Sequence, residues 1–228
     1  MPRLTAEVAS ATWPETAGDL RTLVVPVGSL EQHGPHLPLD TDTQVAVALT
    51  RGIAQLRDDV VVAPAVPYGA SGEHEGFPGT VSVGRDALAL YLLEFVRSAS
   101  ATYRRILFVN GHGGNAEPLG RIAEQSRYEG RDARCWTPRV SGGDLHAGRV
   151  ETSMLLALQP WTVRLSRIAA GNTTPLAQIY PRLRQEGVRA VSDSGVLGDP
   201  TGASAEEGRA LYATLVQDLD LFVRTWPA

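Results

Sequence analysis

A single cysteine, Cys135, stands in 228 residues, so an internal disulfide is excluded and the chain reads as one kept in a reducing compartment. No stretch approaches the ~20 consecutive apolar residues that a membrane span needs. The N-terminal MPRLTAEVASATWPETAG contains no apolar run of signal-peptide length. The expectation is a cytoplasmic protein with no membrane partner. Basic charge is also short: 21 Lys plus Arg face 25 Asp plus Glu, a net charge of -4, and no basic stripe marks a nucleic-acid surface. Repeats, low-complexity segments and linkers are missing too. What remains is 43% hydrophobic and 20% charged, the balance of an ordinary globular protein, read as a single domain over residues 1–228.

Short apolar runs alternate with helical periodicity. Leu23–Val27, Val60–Ala63, Ile106–Asn110 and Ala133–Thr137 read as strands. Val45, Ala48, Leu49, Gly52, Ile53 and Leu56 fall at helical spacing, as do Leu88, Leu92, Phe95 and Val96 behind an Asp86 cap. Pro118 suits a first helical turn before Leu119, Ile122 and Ala123. Ser204 and Glu207 form a capping-box pattern ahead of the stripe Leu211, Leu215, Leu219 and Phe222. Strand–helix alternation predicts an α/β fold, a parallel-sheet sandwich with helices on both faces. Ligands of such sheets gather beyond the carboxyl ends of the strands.

Two polar clusters fall at those ends. The first runs from Gly28 to Asp42. Glu31 and His33 lie two apart, so an extended backbone points both the same way. Gly28 and Gly34 permit sharp turns around them. Asp42 heads the apolar face Val45, Leu49 and Ile53, which turns its carboxylate inward. An inward charge needs a partner, and a divalent cation is a strong one. Mixed oxygen and imidazole donors suit zinc, manganese or iron. The plainer alternative is that Asp42 caps a helix and His36 packs in a loop. The second cluster is Asn110-Gly111-His112-Gly113-Gly114-Asn115, where glycines let a histidine approach a metal or substrate and backbone N–H groups near a helix start can meet an anion. It lacks the Gly-x-Gly-x-x-Gly spacing, and no Lys-Ser or Lys-Thr follows, which argues against nucleotide binding.

Two further clusters complete the pattern. In His146-Ala147-Gly148-Arg149-Val150-Glu151, the Glu151 carboxylate shares a helical face with Met154, Leu155 and Leu158, which makes it a fifth metal-ligand candidate. His146, just before that helix, is placed to donate or accept a proton. A merely capped helix start is the alternative for both. The glycine-rich stretch Gly69–Thr80 reads as a long ordered loop whose His74 either meets substrate or holds the loop. All five histidines of the chain lie in these four clusters, and the segments that look purely structural contain none.

At these residues the sequence resembles the creatininase family of metal-dependent amidohydrolases. PVGSLEQHGPHLPLDTD, EHEGFPGT, VNGHGGN and HAGRVETS carry the resemblance from about Pro26 to Glu151. It implies a metal site at the carboxyl edge of a parallel sheet, hydrolysis of C–N bonds in amides or cyclic amides, and a homo-oligomer, a hexamer or octamer. It places Glu31, His33, Asp42 and His112 on one or two divalent ions per subunit, with Asp42 bridging if there are two. Creatininase itself has a glutamate ligand where Gly114 stands, so the resemblance implies Glu151 as the residue that completes the shell. His146 and Glu151 become the catalytic candidates, and His36, Glu73, His74, Gly113, Gly114 and Asn115 the substrate-binding ones. PYGASGEHEGFPGT, HAGRVETSMLL and VLGDPTGASAEEG, with Gly187–Val191 and the loop Gly195–Gly208, are similar to the mycofactocin-system branch. That branch implies a peptidase acting on a modified ribosomal precursor peptide and releasing its C-terminal Val-Tyr-derived moiety. The alternative within the family is hydrolysis of a small cyclic amide or a formamide. A non-enzymatic module with structural zinc would be closed and cysteine-rich, unlike these ligands.

Overall fold

Short, mostly apolar runs set the central sheet. The computed structural model describes residues 7–18 and 20–227. After a one-turn helix α1 (Trp13–Thr16), strand β1 (Thr22–Val27) is buried along its whole length. It pairs in parallel with β2 (Val60–Val62) on one side and β3 (Arg105–Asn110) on the other, and β3 pairs in parallel with β4 (Asp132–Trp136). The order is β2-β1-β3-β4. Successive side chains take opposite faces: Leu23, Val25, Ile106 and Phe108 enter one apolar core, Val24, Leu107 and Val109 the other. Both faces are therefore covered, as an all-parallel sheet requires.

Helix α2 (Thr41–Leu56) joins β1 to β2 and packs on one face through Leu49 and Ile53, beside α5 (Arg149–Leu158) and α7 (Ala205–Arg224). Helices α3 (Arg85–Ala99) and α4 (Ala116–Tyr128) cover the other face through Leu88, Leu92, Val96, Leu119 and Ile122. The chain leaves β1 toward β2 and then returns to the far side of β1 for β3. That reversal opens a crevice between the carboxyl ends of β1 and β3, where the loops diverge. The segments 28–42 and 111–115 leave the sheet at that point.

The α/β reading and all four strands hold, with ends shifted by one residue. Three local expectations change. Asp86 does not cap α3; Gly84 precedes that helix, and Asp86 pairs with Arg121 at 2.7 Å. Ser204 accepts from the Glu207 N–H, but the Glu207 carboxylate turns to Arg149 and Ser153, so the box is not reciprocal. Helix α6 (Leu176–Glu186) was not read from the sequence; Pro181 in its middle interrupts the apolar spacing and removes a backbone donor. Only Ile179 of α6 is buried, in a small cluster with Val188 and Leu197 that lies apart from both main cores. Among the described residues, no helix is long and apolar enough to cross a membrane.

Candidate metal centre

Helix α2 brings its first turn against the two loops at the crevice. A Cβ at Gly111 would lie 2.3 Å from the Asp42 carbonyl oxygen, and one at Gly28 would overlap Thr43. Gly28 thus serves close approach rather than the expected turn, whereas Gly34 has the positive φ of a turn, +64°. The approach delivers Asp42 into the space between the loops. Its Oδ1 lies 3.0 Å from His33 Nε2, and its Oδ2 lies 3.3 Å from His112 Nδ1 and accepts from Ser29 Oγ at 2.7 Å. Asp42 is therefore more than a helix-start residue: both its oxygens face imidazoles.

Glu31 approaches the same His112 nitrogen as Asp42. Its Oε1 is 3.1 Å from His112 Nδ1, 3.1 Å from His74 Nε2 and 3.9 Å from His146 Nδ1. Glu31 is wholly buried, yet neither oxygen has a properly directed hydrogen bond. A buried, unsatisfied carboxylate is costly unless a cation meets it. The donors around it are carboxylates and imidazoles, the chemistry of zinc, manganese and iron. Two groups of three have donor atoms within 4.8 Å of one another and share Asp42: Glu31, Asp42 and His112, and His33, Asp42 and Glu151. A third joins Glu31, His33 and His146. These residues fit a divalent cation.

The electrostatics agree with an anionic pocket. Burial opposes charge on His33, but the Asp42 carboxylate beside it raises the imidazole to about 10. Burial likewise opposes charge on His112, and the Asp42 and Glu31 carboxylates beside it lift it well above its ordinary value. Burial works against the Asp42 charge too, and the His33 and His112 imidazoles overcome it, holding that carboxyl well below the carboxylate range. Protons on His33 and His112 thus supply the positive charge that a cation would bring. Burial pushes the Glu151 carboxyl up to about 7. Burial, helped by the neighbouring His33 and His74, pushes His146 well below its ordinary value, and burial takes His74 to about 4.

Helix α5 supplies Glu151, whose Oε2 lies 4.0 Å from His33 Nε2 and accepts from the Ala147 N–H at 2.6 Å. Ala147 has φ +51°, rare for a residue with a Cβ, and this turn aims its N–H at Glu151. His146 lies just before it, with its ring centroid 4.3 Å from that of His33 and 4.5 Å from that of His74.

Above the cluster opens a cavity of about 1200 Å³, walled by Glu73, His74, His112, His146, Gly113 and Gly114 on one side and by α6 on the other. Two substrate-binding candidates lie elsewhere. His36 is fully buried and bonds Thr152 Oγ1 at 2.9 Å, away from the cavity wall, because the two prolines around it lead the chain back under α5. Asn115 is also buried: it accepts from the Ala70 N–H at 2.9 Å and donates to the Gly28 carbonyl at 3.0 Å, so it straps three loops together. The Gly69–Thr80 loop is anchored near its ends within the chain, with Val83 N–H on the Gly69 carbonyl and Val81 N–H on the Leu30 carbonyl.

Sequence reasoning missed Ser29, the role of Gln32 and the α6 wall. Gln32 alternates with Glu31 and His33, and that alternation alone aims it away from them. The others carry no local signal, because they become neighbours only across the fold.

Comparison with known proteins accords with this geometry. The family model described as creatinine amidohydrolase matches residues 9–223. A mycofactocin precursor peptide peptidase from Mycolicibacterium smegmatis is 53% identical over 90% of this chain and 85% of its own. A creatinine amidohydrolase from Pseudomonas putida is 30% identical over 93% and 94%. A solved manganese form of creatininase superposes with a TM-score of 0.80 at 27% identity, over 98% of this chain and all of that one. On a match that spans nearly its whole length, the chain belongs to the creatininase family.

Proposed function

We propose that this protein is a metal-dependent peptidase of mycofactocin biosynthesis that hydrolyses an amide bond in a modified ribosomal precursor peptide and releases its C-terminal Val-Tyr-derived moiety. The observation that carries the reading, beside the 53% identical relative, is the cavity over the ligand cluster: at about 1200 Å³ it exceeds the ~300–1000 Å³ typical of small-molecule sites and has room for a peptide segment. A small cyclic amide or a formamide would leave most of it unfilled.

In this reading, Glu31, Asp42 and His112 hold one divalent ion and His33, Asp42 and Glu151 a second, with Asp42 shared. Zinc, iron and manganese all suit these donors. Such an ion, when bound, supplies Lewis acidity that acidifies water and polarises a carbonyl. The chain's own residues do the rest. Ser29 holds the Asp42 carboxylate, and the Ala147 N–H holds that of Glu151. His146, at the cavity wall beside the cluster, moves the proton that must pass to the leaving amine. Glu73, His74, Gly113 and Gly114 form the wall against which the peptide lies. An assembly of several copies, a hexamer or octamer, belongs to the same reading, and light scattering measures it directly.

The test is incubation of metal-loaded protein with the modified precursor peptide, the unmodified peptide and creatinine, read by mass spectrometry. Cleavage of the modified peptide alone is expected, and none by metal-free protein. Turnover of creatinine with both peptides intact would replace the reading with the cyclic-amide one.

A further inference from the structure

Gln32 sits between the two histidines that flank the cluster without any assigned part in it. Its amide orientation is determined by its surroundings. The Gly34 N–H points at Oε1 at 2.8 Å, so that atom must accept. The Gly195 carbonyl lies 3.2 Å from Nε2, so that atom must donate. Swapping the two ends would set donor against donor and acceptor against acceptor. The clamp is built by the fold: Gly195 has φ +81°, and a Cβ there would fall 1.9 Å from Oε1.

The consequences pass to the rings. Nε2 has two hydrogens; one meets the Gly195 carbonyl, and the other is directed at His74 Nδ1, 2.9 Å away. His74 Nδ1 must therefore be the unprotonated nitrogen, and Nε2 carries the hydrogen that faces Glu31 Oε1 at 3.1 Å. His146 Nε2 lies 2.8 Å from the main-chain oxygen of Gln32. Two acceptors at that distance would repel, so this nitrogen carries a hydrogen, and its 3.1 Å contact with the Gln32 amide nitrogen is incidental. His146 Nδ1 is then a free lone pair facing the carboxylate cluster.

We infer that Gln32 is a positioning residue that fixes the tautomers of His74 and His146 together, its side chain setting the first and its main chain the second. His74 is thereby committed to carrying its hydrogen on Nε2, the nitrogen that faces Glu31, and His146 presents an acceptor to the reaction centre. This deepens the proposed proton-transfer role of His146 by giving its direction: it takes a proton first and delivers it afterwards. The inference rests on that role for its meaning, and the tautomers themselves are read without activity.

Zinc-loaded protein with ¹⁵N-labelled histidine reports both tautomers by long-range ¹H–¹⁵N correlation. The parent should show the hydrogen on Nε2 of both His74 and His146; a hydrogen on Nδ1 of His146 overturns the inference without any variant. Gln32→Met should release His74 into the other tautomer and leave His146 unchanged, because the main-chain acceptor remains. Gln32→Glu, which can only accept, should place a hydrogen on His74 Nδ1. In both variants kcat should fall about 10–100-fold while KM moves by less than about threefold. A folded Gln32→Met protein with the parent's His74 tautomer and kcat sinks the idea. Failure to cleave the modified peptide by a parent with these tautomers would refute the proposed function and leave the positioning role intact.

Discussion

The ligand cluster and helix α6 face each other across one cavity, but they are held by opposite means. Glu31, His33, Asp42 and His112 spring from the ends of β1 and β3, strands covered on both faces, and from the buried first turn of α2. Helix α6 rests on Ile179, with Leu183 partly buried beside it, in a satellite cluster whose other buried members are Val188 and Leu197. Preorganisation and adaptability are thus separated in space. Groups that must keep their distances sit on the sheet, while the wall that must receive a substrate sits on a unit that can open at low cost.

The largest effect should come from breaking the sheet side at its shared ligand. Asp42→Ala leaves His33 and His112 without their common partner and should remove both metal ions and abolish turnover, by metal analysis and peptide assay. In metal-free protein it should also cost on the order of 3 kcal/mol in denaturant melts, the penalty for orphaning a buried charge. His36→Ala, six residues before Asp42 but turned to Thr152 and outside the cavity wall, should keep its full metal content. Equal metal in Asp42→Ala and the parent would dismantle the assignment.

Glu151→Gln comes next, because it tests one of the two proposed metal sites. A neutral amide is a poor donor to a hard cation, so metal content should drop from two ions to one with little change in melting temperature. If metal stays full while turnover falls about 10²–10⁴-fold, Glu151 is an acid or base instead. Unchanged metal and turnover would reduce it to a helix-start residue.

A third measurement sharpens the electrostatic side of the comparison. In the metal-free protein His33 is raised to about 10 and His112 is raised as well, so both carry protons at neutral pH that a cation must displace. Metal affinity should therefore rise with pH between about 6 and 9, by up to about tenfold per pH unit for each proton released. The stability of metal-free protein should run the other way. A raised imidazole stabilises fully below its unfolded value near 6.5 and loses that contribution as pH climbs through about 10. Isothermal titration with zinc and melting curves across that range decide both slopes, and a flat affinity profile would exclude the protonated pair.

The smallest global effect should come from the α6 side. Ile179→Ala should speed hydrogen exchange in Leu176–Glu186 and raise KM, while the overall melting temperature barely moves. Leu49→Ala, in the main core, should cost about 2–5 kcal/mol. Equal costs for the two would mean that α6 belongs to the same cooperative unit as the sheet.

The sequence by itself determined the parallel α/β architecture, since β1 to β3 are short, mostly apolar runs between helical stretches, a pattern that needs no distant information. It also determined the ligand candidates: Glu31, His33, Asp42 and His112 are unusual residues in glycine-flanked loops at strand ends, and local spacing suffices to single them out. Glu151 was legible for the same reason, as a carboxylate on an apolar helical face. Only the tertiary structure decided which of these residues meet. His74 reaches Glu31 from 43 residues away and His146 from 115, across separate loops, and no periodicity encodes such an encounter. The fold likewise sent His36 under α5 and made Asn115 a strap, because the burial of a polar side chain depends on what packs over it. It also gave Gln32 its place, since an amide is oriented only by partners that come from both sides: Gly34 from its own loop and Gly195 from the far end of the chain.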